Sequence, residues 1–265
     1  MIDVNNDVLQ NLQSKLLNKG YIKFQLNDLI NLNKIKFELL ENLIIVLKEN
    51  NNNNNIYLDN LSLENFHQYI TDKNINELRT RLISKLNLLN NFNESLFISP
   101  INDLISDLLG GDILIQKGVN LVIQRPLDLD NSELHRDYPS NSEFELVVWI
   151  PFVDCSPGMS IYIVDLDDTK KYIENIKLST KDNWKAIKQK VEENPNFVDI
   201  KFGEAIIFLT PVLHGSLVHN ENITRFSINY RLKGLFSPSG NKDPFSFWKI
   251  LKITNFTKFA LNYDK

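Results

Sequence analysis

Cysteine is almost absent from this sequence: Cys155 is the only one among 265 residues, so no internal disulfide can form. The first ten residues, MIDVNNDVLQ, lack the basic start and the apolar stretch of a signal peptide. No apolar run approaches the roughly 18 residues that a membrane-spanning helix needs. These absences predict a cytoplasmic protein without a membrane span.

Basic residues are also too few to suggest nucleic acid as a partner. Lysine and arginine number 29 against 33 acidic residues, and the net charge is -4, so the chain has no concentrated positive field. An internal repeat, a glycine-rich phosphate loop and a GxSxG nucleophile motif are missing as well. With 43% hydrophobic residues, the chain can bury a sizeable core. A globular protein is expected.

Hydrophobic periodicity divides the chain into three regions. Up to residue 110, apolar residues recur every three or four positions, in runs such as LQNLQSKLL, INELRTRLISKL and INDLISDLL, which predicts helices. Residues 111–240 contain short β-rich runs separated by turn residues, which predicts a barrel or sandwich with one helical insertion from about Thr169 to Glu193. The runs are ILIQ, VNLVIQ, FELVVWI, MSIYIV, VDIK, AIIFL and RFSINYR. Residues 241–265 form an aromatic tail that is expected to pack on this core.

Histidine is scarce too, and one of the four histidines begins the stretch His135-Arg136-Asp137. In an extended segment, residues two apart point to the same face, so His135 and Asp137 suit one metal ion. Alone the pair is a weak indication, because an acid two positions after a histidine is common in a chain with 33 acids. An ordinary surface loop is the simpler interpretation of the pair by itself.

A second histidine, His214, follows the run AIIFL, and Arg225 comes after ten intervening residues. Two histidines and one carboxylate form the ligand set of non-haem Fe(II) oxygenases, which leaves positions open for a cosubstrate and dioxygen. His219 is the competing ligand, but it lies too close to Arg225 to leave room for a loop and the start of a strand. His67 lies in a helical pattern and is expected to pack. Cys155 is expected to behave as a small hydrophobic residue.

The run RFSINYR alternates strictly between polar and apolar residues. One face of this strand would hold only polar side chains: Arg225, Ser227, Asn229 and Arg231. A sheet with one solvated face is the simpler interpretation. The Arg-x-Ser spacing also suits a carboxylate, because a guanidinium binds it with two hydrogen bonds and the hydroxyl adds a third.

Together, the HRD stretch, His214, Arg225 and Ser227 resemble the 2-oxoglutarate and Fe(II)-dependent oxygenases of the phytanoyl-CoA dioxygenase type. The stretch from IQRP through FELVVWIPFVDC, FGEAIIF and LHGS to RFSINYRLKGLFSP is more closely similar to oxygenases found in bacterial surface-carbohydrate gene clusters. The resemblance covers about residues 119–240. It implies a double-stranded β-helix, or jelly-roll, core at 111–240, with a helical region at 1–110 and a tail at 241–265 that pack on it.

The resemblance also implies the cofactors, Fe(II) and 2-oxoglutarate. His135, Asp137 and His214 would bind the iron, and Arg225 would bind the far carboxylate of 2-oxoglutarate. Ser227 would assist Arg225, and Gln124 would contact the cosubstrate or the substrate. The expected reaction uses dioxygen to hydroxylate the substrate and releases succinate and CO2.

The expected substrate is a small, anionic carbohydrate or a nucleotide-linked sugar. Arg231 lies on the polar face of its strand, and an inward arginine that does not bind the cosubstrate needs another anion. Asn229 and Arg125 are the further candidate substrate residues.

Two other classes of protein remain open. A jelly-roll sugar-binding module would use the same residues only to line a polar pocket. A cupin-type metal-dependent sugar isomerase would keep the metal ligands but would not need Arg225 and Ser227.

Overall fold

The computed structural model describes residues 4–50, 60–70, 75–88, 99–118, 120–177 and 181–263. The helices are α1 (Val4–Lys19), α2 (Leu29–Asn50), α3 (Ile75–Leu88), α4 (Asn102–Leu109), α5 (Leu166–Lys177), α6 (Lys181–Glu193) and α7 (Asn255–Leu261). The strands are β1 (Tyr21–Gln25), β2 (Ile113–Gln116), β3 (Asn120–Gln124), β4 (Glu145–Pro151), β5 (Tyr162–Ile163), β6 (Glu204–Leu209), β7 (His214–Gly215), β8 (Arg225–Gly234) and β9 (Trp248–Lys252). None of these helices has the length and hydropathy needed to span a bilayer.

The larger sheet is antiparallel and has strand β8 in its interior. Its strands follow the order β1-β6-β4-β8-β2-β9, and β3 also pairs with β8. The first half of β8 is therefore flanked by β3 and β4, with Asn229 opposite both Asn120 and Trp149. Opposed residues point to the same face, so this register places polar residues of β8 beside Asn120 and Trp149.

The smaller sheet consists of β5 and β7 and is extended by isolated bridges. His135 bridges His214 directly, and Phe197 bridges Tyr162 of β5. The run VDIK, predicted as a strand, contributes only one bridge elsewhere, between Ile200 and Cys155. Residues of both sheets line one cavity, so the two sheets face each other. The predicted jelly-roll core with helices is confirmed.

The N-terminal region is helical, as predicted, and shares its core with the sheets. Buried leucines of α2 recur at helical spacing at Leu32, Leu39 and Leu43, and they belong to the same apolar cluster as the strand residues. Strand β1, between α1 and α2, was not predicted. It pairs with β6 at the edge of the larger sheet, with Tyr21 opposite Phe208.

The predicted helical insertion is present as α5 and α6, between β5 and β6. A separate apolar cluster joins Ile187 and Val191 of α6 to Leu134 and Leu213. The latter two residues immediately precede His135 and His214. Helix α6 therefore packs against the backbone that holds both histidines.

The C-terminal tail packs on the core only in part. Strand β9 joins the edge of the larger sheet through β2, and Trp248 is buried there. Four other aromatic side chains of the tail stay exposed: Phe245, Phe256, Phe259 and Tyr263. Trp248 is thus the aromatic residue through which strand β9 joins the core.

Candidate metal centre and anion pocket

Three side chains with metal-binding atoms converge between the two sheets. The ligand atoms of His135, Asp137 and His214 all lie within 4.8 Å of one another. The two histidines are cross-strand partners, since each backbone N–H donates to the other's carbonyl oxygen, at 2.9 Å from His135 and 2.8 Å from His214. Backbone pairing therefore brings together two residues that lie 79 positions apart in the chain.

The hydrogen bonds of both imidazoles fix which ring nitrogen is free. The Nδ1 atom of His135 lies 2.7 Å from the carbonyl oxygen of Glu133, and that of His214 lies 3.0 Å from the carbonyl oxygen of Val212. A carbonyl oxygen can only accept, so Nδ1 bears a proton in each ring, and Nε2 is the nitrogen whose lone pair can bind a metal. Burial, followed by the nearby His135, lowers the pKa of His214 to about 4. His214 is therefore a neutral imidazole, as metal binding requires.

The third side chain, Asp137, forms an ion pair within the protein. Its Oδ1 atom lies 3.0 Å from Nη2 of Arg231. Burial alone would raise the pKa of Asp137, but the positive charge of Arg231 and the nearby His214 lower it below the ordinary value. Asp137 is thus held as a carboxylate. Two imidazole nitrogens and one carboxylate suit a divalent transition metal such as Fe(II).

Arg225 lines the same cavity, of about 150 Å³, as these three residues. It is 2% exposed, its Nη1 donates to the carbonyl oxygen of Met159 at 2.5 Å, and its guanidinium lies 5.8 Å from the ring centroid of Trp149. Its Nε has no hydrogen-bond partner among the described residues. Burial lowers the pKa of Arg225 to about 10, so the guanidinium stays charged at neutral pH. No carboxylate of the described residues forms an ion pair with it.

The polar face of β8 points towards this cavity, as the alternation in RFSINYR predicts. Asn229 and Arg231 line the cavity with Arg225. Ser227 is fully buried, and its hydroxyl has no partner among the described residues. Gln124, opposite Arg225, donates from Nε2 to the carbonyl oxygen of Leu217 at 2.7 Å, while its Oε1 is buried without a partner in the described part of the chain. These unpaired polar atoms point to a missing polar ligand.

The expected role of Arg231 needs a correction. It points into the cavity, as predicted, but its anionic partners belong to the chain: Asp137, and Glu145 at 3.8 Å. The argument that Arg231 needs a substrate anion is therefore wrong. Arg125, unlike Arg231, does not line this cavity. Its guanidinium pairs with Asp128 at 3.2 Å, and Arg125 borders a different cavity, of about 680 Å³.

The other histidines and the cysteine lie outside the metal cluster. His219 is buried and is not grouped with His135 and Asp137, whereas His214 is. His67, in a short 3-10 helix, contacts the Thr224 hydroxyl and the Asn222 side chain, each at 3.0 Å. Cys155 is fully buried, and burial raises the pKa of its thiol to about 11.

Sequence reasoning missed two residues of strand β4. Trp149 lines the cavity beneath Arg225, and Glu145 is a fully buried carboxylate beside Arg231. A signal was present, because Glu145 is the only charged residue from 145 to 153, a run that is otherwise almost entirely apolar. An acid in such a strand has a partner or a function when it is buried.

Comparisons with known proteins bear on the fold. No protein-family model matches the chain, and no curated protein matches it. Among solved structures, the non-heme monooxygenase ThoJ is similar over 92% of this chain and 84% of its own, with 13% identity and a TM-score of 0.55. SnoN, an alpha-ketoglutarate-dependent non-heme epimerase of nogalamycin biosynthesis, is similar over 94% of this chain and 100% of its own, with 13% identity and a TM-score of 0.53.

A second SnoN structure contains Fe3+, alpha-ketoglutarate (another name for 2-oxoglutarate) and nogalamycin RO. It covers 94% of this chain and 97% of its own, at 13% identity and a TM-score of 0.51. The chain therefore has the jelly-roll fold found in non-haem, 2-oxoglutarate-dependent enzymes.

Proposed function

We propose that this protein is a 2-oxoglutarate and Fe(II)-dependent dioxygenase. The observation on which the proposal rests is Arg225, a buried cation without a carboxylate partner among the described residues, in the same cavity as the His135, Asp137 and His214 cluster. A buried charge is unfavourable unless it is paired. A dicarboxylate that reaches from the metal cluster to Arg225 would supply the missing anion.

Each residue has a chemical task under this proposal. His135 and His214 offer Nε2, and Asp137 offers a carboxylate oxygen, so the three would bind Fe(II). Arg225 would bind the far carboxylate of 2-oxoglutarate, and the Ser227 hydroxyl would donate to it. Fe(II), when bound, would supply the oxidising chemistry: dioxygen and 2-oxoglutarate would give succinate and CO2, and one oxygen atom would be inserted into a substrate C–H bond. Apolar residues of the cavity wall, such as Val147 and Phe208, limit access of water.

The cosubstrate test compares Arg225→Ala with the wild type. Losing one partner of a hydrogen-bonded charge pair costs about 2 to 5 kcal/mol. The Kd of 2-oxoglutarate, measured by calorimetry with the iron site loaded anaerobically, should therefore rise by a factor of about 30 or more. Arg136→Gln removes an arginine that does not line the cavity and should leave the Kd unchanged.

Succinate formation separates an oxygenase from the other two classes. A sugar-binding module would bind sugars without producing succinate, and a cupin-type isomerase would convert a sugar with the metal alone. Unchanged affinity for 2-oxoglutarate in Arg225→Ala would contradict the proposed function.

The proposed substrate is a small anionic carbohydrate or nucleotide-linked sugar. The cavity lining is rich in groups that bind hydroxyls, including Asn120, Asn229 and Ser216. Lys242 is half-buried, and its pKa is lowered by burial and by the charge of Arg231. The charges of a bound divalent metal and a bound dicarboxylate would cancel each other. The remaining charged groups would then be three cations (Arg225, Arg231 and Lys242) and two carboxylates (Asp137 and Glu145). The remaining positive charge favours an anion.

The substrate test measures succinate formation with nucleotide sugars, acidic sugars and neutral sugars. Acidic or nucleotide-linked sugars should give the highest rates, and Lys242→Gln should reduce those rates more than the rates with neutral sugars. A neutral, apolar best substrate would refute this part of the proposal and leave the iron chemistry standing. Because SnoN is an epimerase, the product should be analysed by mass: hydroxylation adds one oxygen atom, whereas epimerisation leaves the mass unchanged.

A further inference from the structure

Asp137 differs from the two histidines in how its backbone is held. His135 and His214 form a backbone bridge, whereas Asp137 lies in a bend outside the strands, in the connection that leads to β4. Its backbone N–H donates to the carbonyl oxygen of Thr210 at 3.1 Å. This bond fixes the main chain at one point but leaves the direction of the carboxylate unspecified.

Arg231 supplies the missing constraint on the carboxylate. It lies on β8, where it is opposite Val147 of β4, and its side chain is 12% exposed. Its Nη2 lies 3.0 Å from Oδ1 of Asp137. Because Oδ1 already accepts from Arg231, this contact favours metal binding through the other carboxylate oxygen, Oδ2.

Glu145 lies on a second side of Arg231. Its Oε2 is 3.8 Å from Nη1 of Arg231, an ion-pair distance without a hydrogen bond, and its side chain is 0% exposed. Glu145 is itself held by the backbone N–H of Ser142, which donates to Oε1 at 3.1 Å. The guanidinium thus lies between two carboxylates, one in the metal cluster and one in the wall of the sheet.

We propose that Arg231 is a positioning residue that keeps Asp137 a one-oxygen metal ligand. This inference rests on the proposed function, because it assumes that the cluster binds a divalent metal. A carboxylate held in this way leaves more of the metal's coordination positions for the cosubstrate and dioxygen than one that binds through both oxygens. Residues that orient a ligand through a hydrogen bond typically change metal affinity by about 10- to 100-fold when they are replaced.

Electrostatics and positioning predict opposite results for Arg231→Gln. If Arg231 acts only as a charge, removing a cation beside the site should strengthen the binding of a divalent cation. If Arg231 positions Asp137, losing its hydrogen bond should weaken binding. Whether metal affinity rises or falls in Arg231→Gln therefore decides between the two roles. If Arg231 only stabilised the fold, the variant would unfold more easily but would not lose metal affinity specifically.

The experiment titrates the 265-residue chain with Co2+ alone, and binding is followed by calorimetry and by the visible absorption of bound Co2+. We expect Arg231→Gln to raise the Kd of Co2+ by about 10- to 100-fold and to change the absorption spectrum of the bound ion. Arg231→Lys keeps the charge and one donor direction, so its affinity should lie between those of Arg231→Gln and the wild type. Thermal unfolding of each variant without metal checks its folding.

Lys242→Gln is the matched control. The charge of Lys242 acts on the same Glu145 and Asp137, yet no ion pair within 4.0 Å joins it to either of them in the described part of the chain. Removing it tests the loss of charge without the loss of a contact, and the Kd of Co2+ should stay unchanged or fall.

The outcomes separate this inference from the proposed function. A wild-type protein that does not bind Co2+ overturns both. If the wild type binds Co2+ and Arg231→Gln binds it equally well or more tightly, only the positioning role is overturned. A loss in Lys242→Gln as large as that in Arg231→Gln also overturns it. If Arg231→Gln does not fold, Arg231→Lys decides: weaker binding supports the role, and unchanged binding refutes it.

Discussion

At the scale of single residues, the orientation of the two histidines in the candidate metal site depends on short-range hydrogen bonds within the chain. In both histidines, Nδ1 contacts the carbonyl oxygen two residues earlier, of Glu133 or of Val212. The same local geometry therefore orients both rings, although the two segments are far apart in sequence. This arrangement could not be derived from residue types, because a carbonyl oxygen is present at every position and only the backbone conformation directs it.

The ligand assignment predicts the behaviour of four alanine variants. His135→Ala, Asp137→Ala and His214→Ala should each reduce Fe(II)-dependent succinate formation to background, because the three side chains would bind the metal as one set. His219→Ala should retain most of the activity, since His219 lies outside the cluster. Activity is measured as succinate formed from 2-oxoglutarate at saturating Fe(II). An inactive His219→Ala together with an active His214→Ala would show that the assignment is wrong.

The Cys155 thiol is expected to be unreactive in the folded protein. Its side chain is fully buried, and burial raises the pKa of the thiol to about 11. A raised pKa reduces the thiolate fraction, so at pH 8 the thiolate that attacks a disulfide reagent is scarce. Ellman's reagent should release almost no colour from the native protein at pH 8 and one equivalent after unfolding in urea. Rapid release from the native protein would contradict the burial of Cys155.

At the scale of secondary structure, the sequence was most informative where the pattern and the environment agree. In β8, the alternation of Arg225, Ser227 and Asn229 with apolar residues predicted a polar face, and the structure turns this face towards the cavity. The simpler interpretation, a solvated face, was excluded only by tertiary structure. The second sheet covers these polar residues and buries them. The sequence of one strand does not show which element will pack over it.

Two strands show why other elements were not predicted. Strand β1, with the sequence YIKFQ, is five residues long and lies between two strongly periodic helices. It is a strand because β6 offers a free edge, so the cause is long-range pairing. The run VDIK has strand-like composition, yet Ile200 finds only one bridging partner, Cys155. In both cases, the availability of a neighbouring backbone determines whether the segment forms a strand. That neighbour cannot be deduced from the local residues.

Helix α6 should stabilise the metal centre through its apolar face. Ile187 is 8% exposed and packs in one cluster with Leu134 and Leu213, the residues that precede the two histidines. Ile187→Ala should therefore lower the free energy of unfolding by about 2 to 5 kcal/mol, measured by urea denaturation. The matched control is Ile250→Ala in β9, where the side chain is 54% exposed, and its effect should stay within about 0.5 kcal/mol. Equal losses in the two variants would contradict this role of α6.

At the scale of the whole molecule, the N-terminal helices and the jelly roll share one apolar core. A single cluster of buried side chains runs from Leu16 in α1 through Leu43 in α2 to Ile228 in β8. Strand β1 also completes one edge of the larger sheet. The division into regions 1–110, 111–240 and 241–265 describes the order of elements, and the shared core predicts that the parts do not fold independently.

A truncated chain tests this prediction. A fragment of residues 111–265 would expose the apolar surface that α1, α2 and β1 cover, so we expect it to aggregate or to lack fixed tertiary structure. Near-ultraviolet circular dichroism and size-exclusion chromatography would detect either outcome. The full-length chain should unfold in one cooperative transition in urea. A soluble fragment with a native near-ultraviolet spectrum would show that the jelly roll is an independent domain.

The direct bridge between His135 and His214 has a consequence for how such a protein can diverge. The two histidines are joined by main-chain hydrogen bonds, and the cavity wall uses residues of β8, which is paired on both sides. A substitution changes a side chain but leaves these backbone hydrogen bonds in place, so the main-chain bridge tolerates changes in the surrounding sequence. The connections between strands are under no such restriction, apart from the segment that carries His135 and Asp137. Changes in those other connections can therefore alter the surroundings of the cavity while the bridged histidines stay in place.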